Sequence, residues 1–246
     1  MSDSPKCIDI SHWQGTPDFQ KVRAAGVLAV IMKATEGTSY RDPVRQTNAV
    51  AARRAGLAVA TYHWLKPGNA SAQMDFYLKT IQPVSGERVI IDYEEKGCVL
   101  ADLTTAVAFL LAHPVPLRIT VYSGNLLKEQ LGSQCMPLLA EHTDLWLAQY
   151  TTGTPLWPKG TYPHWTLWQY SESGRVDGIT GTAVDLNRFA GTDDELLAWV
   201  SPPVAKGELA STEQPQVPEP LPPARPEVSI TVPAGVAIRV NGKLVE

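Results

Sequence analysis

Apolar residues in the first two hundred positions come in short runs broken by Gly, Pro or charged residues. Lys6 to Ser11, Leu28 to Ala34, Leu57 to Leu65, Arg88 to Glu95 and Leu117 to Tyr122 are rich in β-branched and aromatic residues, so they read as strands. Between them the spacing turns helical: Asp18 to Ala25 ending at Gly26, 42–55 closed by Gly56, Ser71 to Ile81, Asp102 to Leu111 stopped by Pro114, and Asn125 to Leu131. The rhythm then changes. Leu145 to Tyr150, Trp165 to Tyr170 and Thr182 to Phe189 read as three strands joined by Gly- and Pro-containing loops with no clear helix between them. A last helix, Asp193 to Val200, opens with acidic residues, which the helix dipole favours there.

Repeated strand–helix units imply a parallel sheet. Eight strands within about 200 residues favour closure into a barrel over an open doubly wound sheet. The open sheet would need a Gly-rich phosphate loop after its first strand, and DISHWQG at 9–15 is not one. The expected fold is therefore α/β, a modified TIM-like barrel over residues 1–200 with five βα units followed by three strands.

Residues 201–226 hold eight of the twenty prolines and read as an extended linker. Residues 227–246 alternate in polarity around an Asn241-Gly242 turn signal, suggesting two or three short strands. So short a tail buries too little to fold alone. It is expected to pack on the barrel, pair with another chain or stay loose, which leaves attachment and oligomerisation as its candidate roles.

Composition narrows the function. A net charge of −4 without a basic stripe argues against a nucleic-acid binder. No apolar run reaches membrane-spanning length, so no membrane partner is expected. Met1 to Asp9 is polar and lacks the apolar segment of a secretory signal, so synthesis without export by that route is expected. Cys7, Cys98 and Cys135 are odd in number and widely spaced, which suits buried thiols better than disulfides or a metal site. The five histidines are dispersed, none paired at metal-ligand spacing.

Candidate chemistry centres on Val89 to Glu95. Side chains alternate along a strand, so Asp92 and Glu94 share one face and Tyr93 takes the other. Such neighbours raise each other's pKa, and a raised carboxyl suits a general acid near neutral pH. A D-x-E at a strand end is commonly just a strand leaving the core; the other strand ends argue against that. Reading them in order gives Asp9 and His12; Lys33 and Glu36; Tyr62, His63 and Trp64; Asp92 and Glu94; Tyr122; Trp146, Gln149 and Tyr150; Trp168, Gln169 and Tyr170; and Asp185 and Asn187. Unpaired buried acids are costly, so their recurrence points to convergence on one mouth.

These motifs, DISHWQG (9–15), KATEG (33–37), TYHW (61–64), IIDYEE (90–95), WLAQY (146–150), WQY (168–170) and VDLNRF (184–189), resemble in order those of the glycoside hydrolase family 25 muramidases. The resemblance spans about residues 6–199. It implies a barrel with three final unaccompanied strands and cleavage of the β-1,4 bond between N-acetylmuramic acid and N-acetylglucosamine in peptidoglycan glycan strands. By motif, Glu94 would be the general acid/base, Asp92 would orient the substrate's N-acetyl group, and Asp9 and Asp185 would complete the acidic cluster. No metal or organic cofactor is implied. Whether Asp92 attacks as a nucleophile or assists the acetamido group stays open, with D-x-E on one strand leaning toward assistance.

Lys33 is expected to balance the acids. Tyr62, Trp64, Tyr122, Trp146 and Trp168 are expected to stack on sugar rings or donate from their polar edges, with Glu36, Gln149 and Tyr150 beside them. Trp13 and Trp165 read as core or rim, Glu95 as outward-facing, and Asp42, Asp75, Asp102 and Asp144 as helix caps or solvent groups. The rival readings are an inactive wall-binding barrel of a virion and a chitinase-like glycosidase. A muramidase without a signal would suit a phage endolysin, made in a bacterial cytoplasm and acting on the wall after release.

Overall fold

The computed structural model describes residues 5–201, 238–240 and 243–245. β1 (Cys7–Ile10) leads through a 3₁₀ turn, His12–Gln14, to α1 (Phe19–Ala24). β2 (Ala29–Glu36) folds back on a two-residue strand, β3 (Tyr40–Arg41), before α2 (Arg45–Arg54). Then follow β4 (Ala58–Trp64), α3 (Ala70–Ile81), β5 (Arg88–Asp92), α4 (Leu100–Leu111), β6 (Arg118–Ser123), α5 (Asn125–Leu131) and α6 (Pro137–His142). The barrel finishes with β7 (Thr143–Ala148), β8 (Leu167–Gly174) and β9 (Val184–Phe189), and α7 (Asp193–Val200) comes last.

Eight of these strands, all but β3, close into a barrel. Seven run parallel in ring order β1-β2-β4-β5-β6-β7-β8. β9 closes the ring antiparallel to both β8 and β1. This corrects the parallel sheet expected from the repeated units. A hairpin at 175–183 joins β8 to β9, so no crossover helix is needed there. The consequence is functional: the mouth, formed by the carboxyl ends of the other strands, receives the amino end of β9. The short α6 is a further element that the spacing did not announce.

Alternation along each strand sorts side chains between two layers. Ile8 and Ile10 face outward onto Phe19 and Val22 of α1. Val89, Ile91 and Tyr93 face outward onto Met74, Tyr77, Leu103 and Val107 of α3 and α4. Burying each such apolar side chain contributes about 1.5–3 kcal/mol. Cys7, Ala29, Ile31, Ala60, Ile90, Trp146 and Leu167 fill the interior, and Leu196, Trp199 and Val200 of α7 plug its base.

Arg88 locks that plug. Its Nε donates to the Trp199 carbonyl (2.6 Å), its Nη1 to Thr120 Oγ1 (2.7 Å) and Asp144 Oδ2 (2.6 Å), and its guanidinium lies 4.0 Å from the Trp199 ring centre. Burial lowers the Arg88 pKa to about 10 against the opposing pull of Asp144. Asp144 is therefore no helix cap. β7 starts at Thr143, earlier than expected, which puts Asp144 on the inward parity of Trp146. The other acids do sit at helix starts or in solvent: Asp42 accepts from the Val44 N–H, Asp102 from those of Val99 and Gly68, and Asp75 pairs with Lys79. Cys7 and Cys98 are buried, but Cys135, in the connection between α5 and α6, is exposed.

The expected linker, 201–226, lies outside the described residues apart from Ser201. Of the tail, β10 (Ile238–Val240) and β11 (Lys243–Val245) pair antiparallel, with Ile238 opposite Val245. Residues 227–237 and the Asn241-Gly242 turn lie outside the described residues.

Candidate active site

At the mouth, Asp9, Tyr62, Trp64, Asp92, Glu94, Tyr122, Trp146, Gln169 and Asp185 line one pocket. Seven of the eight barrel strands, all but β2, carry these residues, and Glu94 follows the end of β5. The Asp92–Glu94 pair arises from alternation. Ile90 points inward, Ile91 outward, Asp92 inward, and Tyr93 outward with its hydroxyl on Gln130 Oε1 (2.5 Å). β5 itself ends at Asp92, short of the expected Glu95. The Tyr93 N–H still donates to the Tyr122 carbonyl (2.8 Å), and its own carbonyl accepts from Ser123 Oγ (2.5 Å). The direction of the strand is thus carried one residue further, which delivers Glu94 to the same pocket.

Asp9 is the most heavily hydrogen-bonded of the four acids. Gln169 Nε2 donates to both its oxygens (3.1 Å each) and Asn187 Nδ2 to one (2.7 Å). Those donors are themselves held: Asn187 Oδ1 accepts from Trp146 Nε1 (2.7 Å), and Gln169 Oε1 accepts from the Tyr122 and Tyr150 hydroxyls (2.8 and 2.9 Å). Asp92 differs. Its Oδ1 is buried with no hydrogen-bond partner among the described residues.

All four carboxyls are pushed above their ordinary range. For Asp9 burial is the main cause, followed by the charge of Asp185, while Asn187 and Gln169 pull the other way. Asp92 is raised well above its usual value by burial and then by Glu94, with Lys33 opposing. Glu94 is raised by burial and then by Asp185, again against Lys33. Asp185 is raised by burial, and a hydrogen bond from Asp9 offsets part of that. The expectation singled out Glu94 as the acid that titrates high. The stronger upward pushes fall on Asp92 and Asp9, because they are 4% and 5% exposed whereas Glu94 opens to the cleft.

Five of the expected site residues lie outside this pocket. Lys33 Nζ pairs with Glu36 (2.6 Å) and sits 4.7 Å from the Trp64 ring centre. Glu36 also meets Lys66 (3.0 Å), and those two cations outweigh its burial and hold it below the usual range. Glu95, outside the pocket, takes the Trp64 indole N–H (3.0 Å) and Lys66 (3.2 Å), which fixes the edge of that ring and keeps Glu95 ionised. Tyr150 reaches the pocket through its hydroxyl on Gln169. The Gln149 side chain accepts from the Leu156 N–H (2.8 Å) and serves its loop.

Trp168 faces the outer layer. Its neighbours are Trp165 and Tyr170, and its Nε1 donates to the Gln149 carbonyl (2.7 Å). The inward residue of the WQY motif is Gln169. Gln169 and Asn187 stand at strand ends in the sequence without an expected role; their parity with Leu167 and Asp185 is the signal that turns them inward. Trp13 is neither core nor shielded rim, being 72% exposed, whereas Trp165 packs partly buried against the outer layer. His63 is structural: burial lowers its pKa to about 4, and its ring lies between Thr35 Oγ1 (2.7 Å) and Gln73 Oε1 (3.2 Å).

A cleft with several high-titrating carboxyls, one open to solvent and one buried with a free oxygen, can donate a proton and orient an N–H donor of a bound molecule. The sequence profile described as Glycosyl hydrolases family 25 matches residues 8–179, which includes Asp9, Asp92 and Glu94 and stops short of β9. Lysozyme M1 of Streptomyces globisporus is 31% identical over 208 residues, covering 78% of this chain and 69% of that one. An N,O-diacetylmuramidase of a Chalaropsis species is 27% identical over 213 residues, covering 74% and 97%. The crystal structure of a lysozyme from Streptomyces coelicolor superposes with a TM-score of 0.72 at 28% identity, covering 81% of this chain and 98% of that one.

Proposed function

The chain belongs to glycosyl hydrolases family 25 and is a glycoside hydrolase; from that premise we propose that it is a muramidase, cleaving the β-1,4 bond between N-acetylmuramic acid and N-acetylglucosamine in peptidoglycan. The observation that carries this reading is the pairing of Glu94, raised and open to the cleft, with Asp92, buried and holding an unpartnered Oδ1.

Glu94 is the general acid. Its proton passes to the glycosidic oxygen as the bond from that oxygen to the anomeric carbon breaks. Asp92 accepts the N–H of the substrate's 2-acetamido group, and the acetamido oxygen then bonds to the anomeric carbon. In the second half, Glu94, now a carboxylate, takes a proton from water as the water oxygen attacks that carbon and displaces the acetamido oxygen. Glu94 is protonated again and the acetamido group is restored. The unpartnered Asp92 oxygen supports assistance over direct attack, since an acceptor without a donor in the free chain is costly until a ligand supplies one. Asp9, tied to Gln169 and Asn187, holds the cluster's far wall, and Asp185 adds charge that keeps the Glu94 proton in place.

The test is digestion of bare peptidoglycan with analysis of the new chain ends. Muramic acid at the new reducing ends is the expected product. N-acetylglucosamine at those ends, new amino termini or no release would each overturn the reading. A covalent Asp92 adduct with a fluorinated substrate would replace assistance by direct attack.

A further inference from the structure

Trp13 stands on the mouth side of the barrel, in the turn that follows β1, with 72% of its surface in water. A single exposed indole on a loose loop would need no explanation. This loop is tightly fixed. The Ser11 hydroxyl accepts from the Trp13 N–H (3.4 Å), and Gln14 Oε1 accepts from the Ser11 N–H (2.9 Å). Asp42 takes the His12 N–H (2.8 Å), Asn48 donates to the Gly15 carbonyl (2.9 Å), and Gln14 Nε2 donates to the Ala183 carbonyl (2.9 Å). Gly15 ends the turn at φ 61°, where a side chain would be strained. The fold thus holds the backbone that carries a large apolar ring in place, with the ring in water.

The ring is also not isolated. The His12 ring centre is 4.6 Å from that of Trp13, and His12 Nδ1 is 3.1 Å from the Tyr40 hydroxyl. Lys33 Nζ lies 5.6 Å from the Tyr40 ring centre and 4.7 Å from that of Trp64, which lines the acid pocket. Trp13, His12, Tyr40 and Trp64, with the buried Lys33 ammonium between the last two rings, form one chain of contacts leading away from the pocket, ring faces and polar groups in alternation.

We propose that Trp13, with His12 and Tyr40, is an outlying subsite that stacks on a pyranose ring of the glycan strand beyond the cleaved bond. The inference rests on the muramidase reading. A sugar ring offers an apolar C–H face to an indole and hydroxyls to the polar edges beside it, which matches this alternation. Because the turn is already ordered, little conformational entropy is lost on contact. The subsite makes the enzyme favour long glycan strands over short fragments.

The test compares full-length wild type with Trp13→Ala and Trp13→Phe on β-1,4-linked N-acetylmuramic acid–N-acetylglucosamine oligosaccharides of increasing length. The wild type gains kcat/KM with length; Trp13→Ala shrinks that gain by about tenfold and Trp13→Phe keeps most of it. An identical gain in all three chains overturns the subsite. Binding in a Glu94→Gln background separates the two readings, because it needs no cleavage. Affinity for the longest oligosaccharide drops about tenfold on adding Trp13→Ala, and an unchanged affinity rejects the subsite even if the wild type cleaves nothing.

Discussion

Asp9 and Asp185 stand directly opposite one another across the antiparallel β1–β9 pair, so two carboxyls that are far apart in sequence share one proton-rich wall of the cleft. Only an antiparallel β9 allows this. A parallel last strand would carry Asp185, near its amino end, to the base of the barrel. The final strand's direction is therefore part of the site, because Asp185 is also the leading charge on Glu94.

Buried acids with raised pKa values bind protons more tightly in the folded chain than in the unfolded one. Stability then falls as pH rises from the ordinary carboxylate range through the raised values. Asp92 bears this cost with one oxygen unpartnered. Asp92→Asn should match the wild type in thermal unfolding below the ordinary carboxylate range and unfold at a higher temperature near neutral pH. Each kcal/mol regained is worth about 2–4 °C in a chain of this size. The same variant should lose hydrolysis. A melting temperature that falls equally at both pH values would show that Asp92 is a packing residue.

Glu94→Gln keeps the size of the side chain and removes the proton. Glu94 opens to the cleft and is not among the core residues, so the variant should fold normally. Its kcat should fall by about 10²–10⁴-fold on peptidoglycan. Retention of activity within tenfold, with a circular dichroism spectrum like that of the wild type, would assign the proton to another group.

The acid pair was legible because a strand's period of two needs no knowledge of its neighbours: Asp92 and Glu94 share a face whichever face that is. The aromatic contacts were not. Trp146 and Trp168 open two similar motifs, WLAQY and WQY, and both looked suited to the pocket. Register decides between them. Trp146 pairs with Leu167 and Leu147 with Trp168, so the two indoles lie on opposite sides of the sheet. That offset of one residue brings Gln169 inward and is fixed by the β7–β8 pairing, which no short motif reports. The pairing of Asp144 is hidden for a related reason, since its partner Arg88 comes from a strand two places away in the ring and Trp199 from α7.

The base of the barrel gives a stability prediction separable from catalysis. Asp144→Ala leaves Arg88, 3% exposed, with hydrogen bonds but no counter-charge. Breaking a fully buried pair costs about 3–5 kcal/mol; because the Asp144 side chain is 40% exposed, water screens this pair and about 1–3 kcal/mol is expected. Denaturant unfolding should show that loss, while kcat of the folded fraction stays that of the wild type. A fall in kcat with stability unchanged would mean that the base communicates with the mouth.

Lys33 offers a test of the site's electrostatics that does not touch an acid. Its ammonium opposes the upward shift of both Asp92 and Glu94, although its closest partner is Glu36 at 2.6 Å. Lys33→Met keeps much of the stem and removes the charge. Without it the carboxylate forms of Asp92 and Glu94 are less favoured, so both pKa values rise further. In the proposed mechanism Glu94 must be protonated to act as the acid, so the alkaline limb of kcat/KM should move to higher pH. The acid limb follows the group that must be ionised and should move in the same direction. Lys33→Arg, which retains the charge, should restore the wild-type profile if the effect is Coulombic. A Lys33→Met profile of unchanged shape and position, whatever its height, would mean that Lys33 acts on the cleft only by holding Glu36 and the Trp64 ring in place.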